Sequence, residues 1–271
     1  MSLGAVPERK PGLLRASRAL AMLQSPVVLT QGRRLKASTP HLPEAALPWT
    51  GELAGPDPLR LLVLGDSTAA GVGAATQAEA LPGRLADALH ARTGRGIRWR
   101  AVGKNGATSL EIVDRFLEDA LSEPADLLFL SIGANDAMTM RGAGAFVRDV
   151  RRILDAFDAR NPGATVLMSS LPVFGRFALL PQPLRTALFR HALALEAAAR
   201  RVVEARPRTM MSNDPPPYAE GFWAADLFHP GPSGYRDWAD WAVGEAWGRG
   251  LEALARSEGG RLSESPDAHA E

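Results

Sequence analysis

The chain has 271 residues, 46% of them hydrophobic and 23% charged, enough to bury a substantial core within one domain. A formal net charge of +1 gives no ground for wholesale binding of nucleic acid, and the lack of cysteine excludes thiol nucleophiles, disulfides and thiolate metal sites. The charge is uneven, with seven Lys or Arg against the single acid Glu8 in residues 1–36 and a mildly acidic remainder.

Residues 19–29, ALAMLQSPVVL, form the one candidate targeting segment. The run is too short to span a bilayer, contains Gln24, Ser25 and Pro26, and leads into Arg33, Arg34 and Lys36 instead of a small-residue cleavage site. A cleaved export signal is therefore not expected, and the chain reads as cytoplasmic. The segment fits a helix packed on the domain with its basic residues in solvent, or a weak peripheral anchor in which residues 9–36 meet an anionic lipid surface. Pro40, Pro43, Pro48, Pro56 and Pro58 then mark residues 37–58 as an extended connector that completes an N-terminal region, 1–58.

The domain proper is expected over 59–256. Apolar runs of strand length at Leu61 to Leu64, Ile97 to Val102, Leu127 to Ile132, Thr165 to Leu171 and, more weakly, Thr209 to Met211 give five strands. Between them, LPGRLADALHART, SLEIVDRFLEDAL, AFVRDVRRILDAFDAR and LRTALFRHALALEAAARRVVE space apolar residues three and four apart, as amphipathic helices do. A last helix is expected from Tyr235 to about Leu254, and residues 257–271 are a small, polar, acidic tail. Alternation of this kind implies an α/β fold, a parallel sheet of about five strands with helices on both faces. Function in such sheets gathers beyond the carboxyl ends of the strands.

Those ends are distinctive. Gly65-Asp66-Ser67 follows the first strand, GKNGATS the second and Gly133-Ala134-Asn135-Asp136 the third. Each alone is also what a tight turn and a helix cap require. A fourth feature, AADLFHPGPSG, sets His229 three residues after Asp226 on a loop that Pro230 and Pro232 keep off the next helix. There a carboxylate can hold one imidazole nitrogen and leave the other free as a base. His41, His90, His191 and His269 fall in the connector, in helices or in the tail. GVGAAT lacks the third glycine of a dinucleotide turn, no phosphate loop is present, and no histidine pair or carboxylate cluster suggests a metal, so no cofactor is expected.

Jointly, GDST with Ser67, NGATS with Gly106, GAND with Asn135 and DLFH with Asp226 and His229 resemble the four blocks of the SGNH hydrolases, the GDSL-type esterases and lipases, in the family's order. The resemblance covers residues 65–229 and departs at Thr68, where the name-giving motif has leucine. It implies a three-layer flavodoxin-like fold and ester hydrolysis through an acyl-enzyme. By position, Ser67 would be the nucleophile, His229 the base and Asp226 its partner, with an oxyanion hole of the Ser67 N–H, the Gly106 N–H and the Asn135 amide. Asp66 is expected to brace the turn.

The apolar loop LPVFGRFALLPQPL puts Val173, Phe174 and Phe177 near a strand end, where they could cradle an acyl chain or simply pack beneath a long loop. Short to medium acyl esters are the expected substrates. Carbohydrate deacetylation, lysophospholipid or thioester hydrolysis and acyl transfer fit the same core, and a non-catalytic ligand-binding module is the alternative of another class. The complete set of five site residues favours an enzyme.

Overall fold

A computed structural model describes residues 25–213 and 215–255; the expected tail at 257–271 and residues 1–24 of the basic segment lie outside the described residues. Helix α1 (Ser25–Ser38) leads in, followed by strands β1 (Thr50–Leu53) and β2 (Leu59–Gly65), helix α2 (Leu81–Thr93) and β3 (Ile97–Gly103). A helical stretch follows, made of α3 (Ser109–Glu111), a π-helical turn (Ile112–Phe116) and α4 (Leu117–Ala120). Then come β4 (Leu127–Ser131), α5 (Ala134–Met138), α6 (Ala143–Arg160), β5 (Thr165–Met168), α7 (Leu184–Val203), β6 (Thr209–Met211) and α8 (Pro232–Trp247).

The sheet runs β1-β3-β2-β4-β5-β6. The strands from β2 to β6 are parallel, as their unbroken apolar runs imply for strands covered on both faces. Leu62, Leu64, Leu128, Leu130, Val166 and Met168 point to one face and join the core with α6 and α7. Their neighbours Leu61, Val63, Phe129 and Leu167 point to the other, against α2 and α8. The period-2 alternation of a strand thus supplies both cores of a three-layer α/β fold. In α6, buried Phe146, Val150, Ile153, Leu154 and Phe157 recur at helical spacing.

Two expectations need correction. The sheet has six strands: β1 arises inside the Pro-rich connector and pairs antiparallel with β3, from Thr50↔Arg100 to Leu53↔Ile97. The last helix ends at Trp247, where Gly248 and Gly250 interrupt it, and a 3-10 turn covers Leu251–Ala255. As for the segment at 19–29, its described part belongs to α1, which docks on the start of α7: Gln31 donates to the Gln182 carbonyl at 2.7 Å and accepts from the Leu184 N–H at 3.2 Å. Val28 is buried there while Val27 and Leu29 are exposed. Among the described residues no helix is long and apolar enough to cross a membrane.

Candidate active site

Ser67 emerges from the end of β2 into a loop that the rest of the molecule holds from several sides. The Asp66 N–H donates to the Ser131 carbonyl of β4 at 3.0 Å, and the Val72 N–H closes back onto the Ser67 carbonyl at 3.0 Å. Tyr235 of α8, fully buried, donates its hydroxyl to the Val72 carbonyl at 2.6 Å. At Gly73, φ is +99°, and a Cβ would stand 2.3 Å from the Pro230 carbonyl oxygen, so only glycine allows the serine loop to press against the loop that carries His229.

On that second loop the Asp226 carboxylate takes three hydrogen bonds. Oδ2 lies 2.6 Å from His229 Nδ1, and Oδ1 accepts the backbone N–H groups of Phe228 and His229, each at 3.0 Å. Leu227, between Asp226 and Phe228, adopts φ +55°, a left-handed conformation uncommon for a branched residue, which turns the chain tightly enough for these bonds. Burial works to raise the Asp226 carboxyl but is outweighed by the bonds from the His229 ring and the two N–H groups, and the group is held below the usual carboxylate range. An ionised carboxylate only accepts, so Nδ1 carries the hydrogen and Nε2 of a neutral imidazole is left as the free base.

Gly106, after β3, has φ +83° and open space where a Cβ would be. Asn135 lies within α5, whose N-cap is Gly133 and whose start has no side-chain cap, so its amide is not spent on capping. Instead Nδ2 donates to the Ala107 carbonyl at 3.0 Å and more loosely to Asp66 Oδ2 at 3.4 Å, tying the block after β4 to those after β3 and β2. Asp66 does brace its turn, since Oδ1 accepts the Thr68 N–H at 3.3 Å. Burial pushes its carboxyl up to about 6, against the pull of the Thr68 N–H and the nearby His229.

Ser67 and His229 line one cavity of about 60 Å³, with Ile132, Leu171, Pro172 and a group of rings as its apolar wall. Phe177 is central to that group: its ring lies 4.7 Å from Trp223, 5.5 Å from Phe228 and 5.9 Å from Tyr218. Of the three residues expected to cradle an acyl chain, Phe177 faces the cavity. Phe174 is wholly buried behind it at a ring distance of 5.3 Å, and Val173, half-buried, is not part of the lining.

Sequence reasoning missed several contributors. Glu44, in the connector, accepts the Asn105 N–H at 2.7 Å, next to Gly106, and the Ala45 N–H bonds to the Ala70 carbonyl of the serine loop at 2.9 Å. Tyr218, Trp223 and Phe228 come from a loop without periodicity, where only the density of aromatic residues was a signal. Among the described residues no group of three or more His, Asp or Glu side chains is placed to hold a metal ion.

The chain is 32% identical over 203 residues to a GDSL-like esterase of Mycobacterium tuberculosis, an alignment that covers 71% of the chain and 62% of the relative, so the chain spans less than two thirds of that protein's length. Among solved structures it resembles TesA at a TM-score of 0.53 and 20% identity, covering 69% of this chain and 97% of that one. It also resembles the acetylxylan esterase Axe2 of Geobacillus stearothermophilus, at 0.52 and 16%, covering 70% and 94%. These likenesses establish a shared fold. A family model for GDSL-like lipases and acylhydrolases matches residues 63–236, a span that takes in every strand-end block from Ser67 to His229, and the chain belongs to that family.

Proposed function

We propose that the protein is a serine esterase that cleaves carboxylic esters of short to medium acyl groups through an acyl-enzyme. The observation that carries this is the shared cavity: Ser67 and His229 line it together, and the imidazole nitrogen that faces away is fixed by Asp226 at 2.6 Å. A serine hydroxyl is a weak nucleophile until a neighbouring base takes its proton. In this proposal Nε2 of His229 accepts that proton as Ser67 Oγ attacks the ester carbonyl, and the Asp226 carboxylate stabilises the imidazolium that forms. The carbonyl oxygen becomes an oxyanion facing the Ser67 N–H, the Gly106 N–H and the Asn135 amide, whose second hydrogen turns to it from the loose 3.4 Å contact with Asp66 Oδ2. Collapse of the intermediate breaks the bond to the alcohol, which leaves with the proton from His229. A water molecule, deprotonated by the same imidazole, then attacks the acyl-Ser67 ester and releases the acid.

The walls favour the short end of the range. A volume of about 60 Å³ is well below the ~150 Å³ cavity that admits benzene. Rings interlocked at 4.7 to 5.9 Å have little room to move apart. Turnover of nitrophenyl esters of increasing acyl length, with Ser67→Ala as control, tests the proposal. Hydrolysis that declines with chain length and is lost in the control is the expected result, and undiminished hydrolysis by the control contradicts it.

A further inference from the structure

Beneath the two loops that carry Gly106 and Asn135 lies a buried polar cluster that the proposed mechanism does not use. Asp136 and Ser109 are fully buried and Asp149 nearly so. The Ser109 N–H donates to Asp136 Oδ2 at 2.9 Å, and Ser109 Oγ lies 2.7 Å from Asp136 Oδ1 and 2.9 Å from Asp149 Oδ2. Arg141 Nη2 pairs closely with Asp149 Oδ2. Arg141 Nε comes within 3.0 Å of Asp136 Oδ1 without the alignment of a hydrogen bond.

The hydrogens in this cluster can be counted. A serine hydroxyl has one, yet Ser109 Oγ sits at hydrogen-bond distance from oxygens of two carboxyl groups. With both ionised, one of those contacts would set an oxygen lone pair against an anionic oxygen in a buried site, which is costly. One extra proton removes the conflict. Placed on Asp136 Oδ1, it is donated to Ser109 Oγ, and Ser109 Oγ donates its own hydrogen to Asp149 Oδ2, already neutralised by Arg141. Each contact then has one donor and one acceptor, and the buried cluster is electrically neutral.

We infer that Asp136, held as a neutral carboxylic acid, is a positioning residue that clamps the Gly106 and Asn135 loops together through Ser109 and so fixes the spacing of two oxyanion donors. The inference rests on the esterase assignment above. The geometry leads directly to those donors: Asp136 is the chain neighbour of Asn135, and Ser109 stands two residues after Ala107, whose carbonyl accepts the Asn135 amide at 3.0 Å. Burial pushes the Asp136 carboxyl up, against the bonds from Ser109 and the charge of Arg141 and together with the charge of Asp149. Asp66, across the serine loop, adds a further negative charge when ionised. From α7, His191 Nε2 meets the Arg141 backbone carbonyl at 2.9 Å.

The test measures kcat and KM for a short nitrophenyl ester, with melting temperature, in the parent protein and in Asp136→Ala, Asp136→Asn, Ser109→Ala and Ser67→Ala. Misplacing an oxyanion donor by about 1 Å costs ~10²-fold, so Asp136→Ala is expected to lose kcat on that scale with KM little changed. An asparagine amide can donate to Ser109 Oγ and accept the Ser109 N–H, as the neutral acid does, so Asp136→Asn should recover most of the loss. Ser109→Ala should lower kcat and leave KM alone. Infrared spectra at pH 7 should contain a protonated-carboxyl band that Asp136→Asn lacks. A folded Asp136→Ala with parental kcat overturns the proposal, as does an Asp136→Asn protein as impaired as the alanine variant or the absence of that band. If Asp136→Ala does not fold, the asparagine and Ser109 variants decide by the same criteria. A parent protein without turnover, or a Ser67→Ala protein that turns over normally, overturns the esterase assignment and this proposal with it; the other adverse results overturn the clamp alone.

Discussion

Asp226 and His229 stand three positions apart on one loop, and the carboxylate of the first meets Nδ1 of the second at 2.6 Å while also accepting the backbone N–H of the same histidine at 3.0 Å. The two residues should not be equivalent to mutation. His229→Ala removes the base and should abolish turnover. Asp226→Asn keeps the ring but offers it the wrong partner for its tautomer, and should lower kcat by up to ~10⁴ with the fold intact. Steady-state kinetics on both variants checks this, and parental activity in Asp226→Asn would mean that another group orients the imidazole.

Asn135 separates two kinds of damage. As a helix cap its loss would cost about 0.5–2 kcal/mol of stability and spare catalysis. Since Gly133 occupies the cap, Asn135→Ala is expected to lower kcat by about 10²–10³ with little change in KM, beside a stability loss of about 1 kcal/mol for the buried bond to the Ala107 carbonyl. The kcat, measured beside melting on the same preparation, tells the two apart.

Asp66 makes stability depend on pH. Its carboxyl is raised from 3.8 to about 6 in the fold, so the unfolded chain releases this proton first and stability is lost as pH rises between about 4 and 6. Asp66→Asn cannot ionise. Relative to the parent it should gain about 3 kcal/mol between pH 3.5 and pH 8, each pKa unit being worth about 1.4 kcal/mol. Denaturant midpoints of both proteins across that range measure the difference, and parallel curves would contradict it. Asp226, held low, acts with the opposite sign: its contribution is lost as pH falls through its folded value.

Phe177 is the wall whose removal should lengthen the acyl group accepted. Phe177→Leu keeps an apolar but smaller side chain and should cost about 0.5–3 kcal/mol. It also withdraws one ring from the contacts with Trp223, Phe228 and Tyr218, and the preferred chain length should move upward by one or more carbons. Rates on an ester series with parent and variant give the answer. An unchanged preference would place the acyl chain elsewhere.

The parts legible in the sequence share a physical cause. Strands such as β2 and β4 are buried on both faces, so their apolar runs stand out whatever surrounds them. The blocks with Ser67, Asn135 and Asp226-x-x-His229 are each local, set by a few adjacent residues at a strand end. What escaped depends on contacts distant in sequence. In β1, Thr50–Leu53 alternates exposed and half-buried positions, and only its pairing with β3, nearly fifty residues on, makes it a strand. Glu44 reaches the Gly106 loop across 61 residues, and Ser109 meets Asp149 across 40. Phe174 and Phe177 have the same composition and nearly the same position, and only the packing of the loop separates the one that faces the cavity from the one behind it.

The central claim is that Ser67 carries the acyl group. Incubation with a fluorophosphonate, and separately with a nitrophenyl ester quenched in acid during turnover, followed by peptide mass spectrometry, tests it most directly. The expected result is one phosphonyl and one acyl adduct, both on the peptide containing Ser67, and neither in Ser67→Ala. An adduct on another residue, or ester turnover in Ser67→Ala at the parental rate, would contradict it.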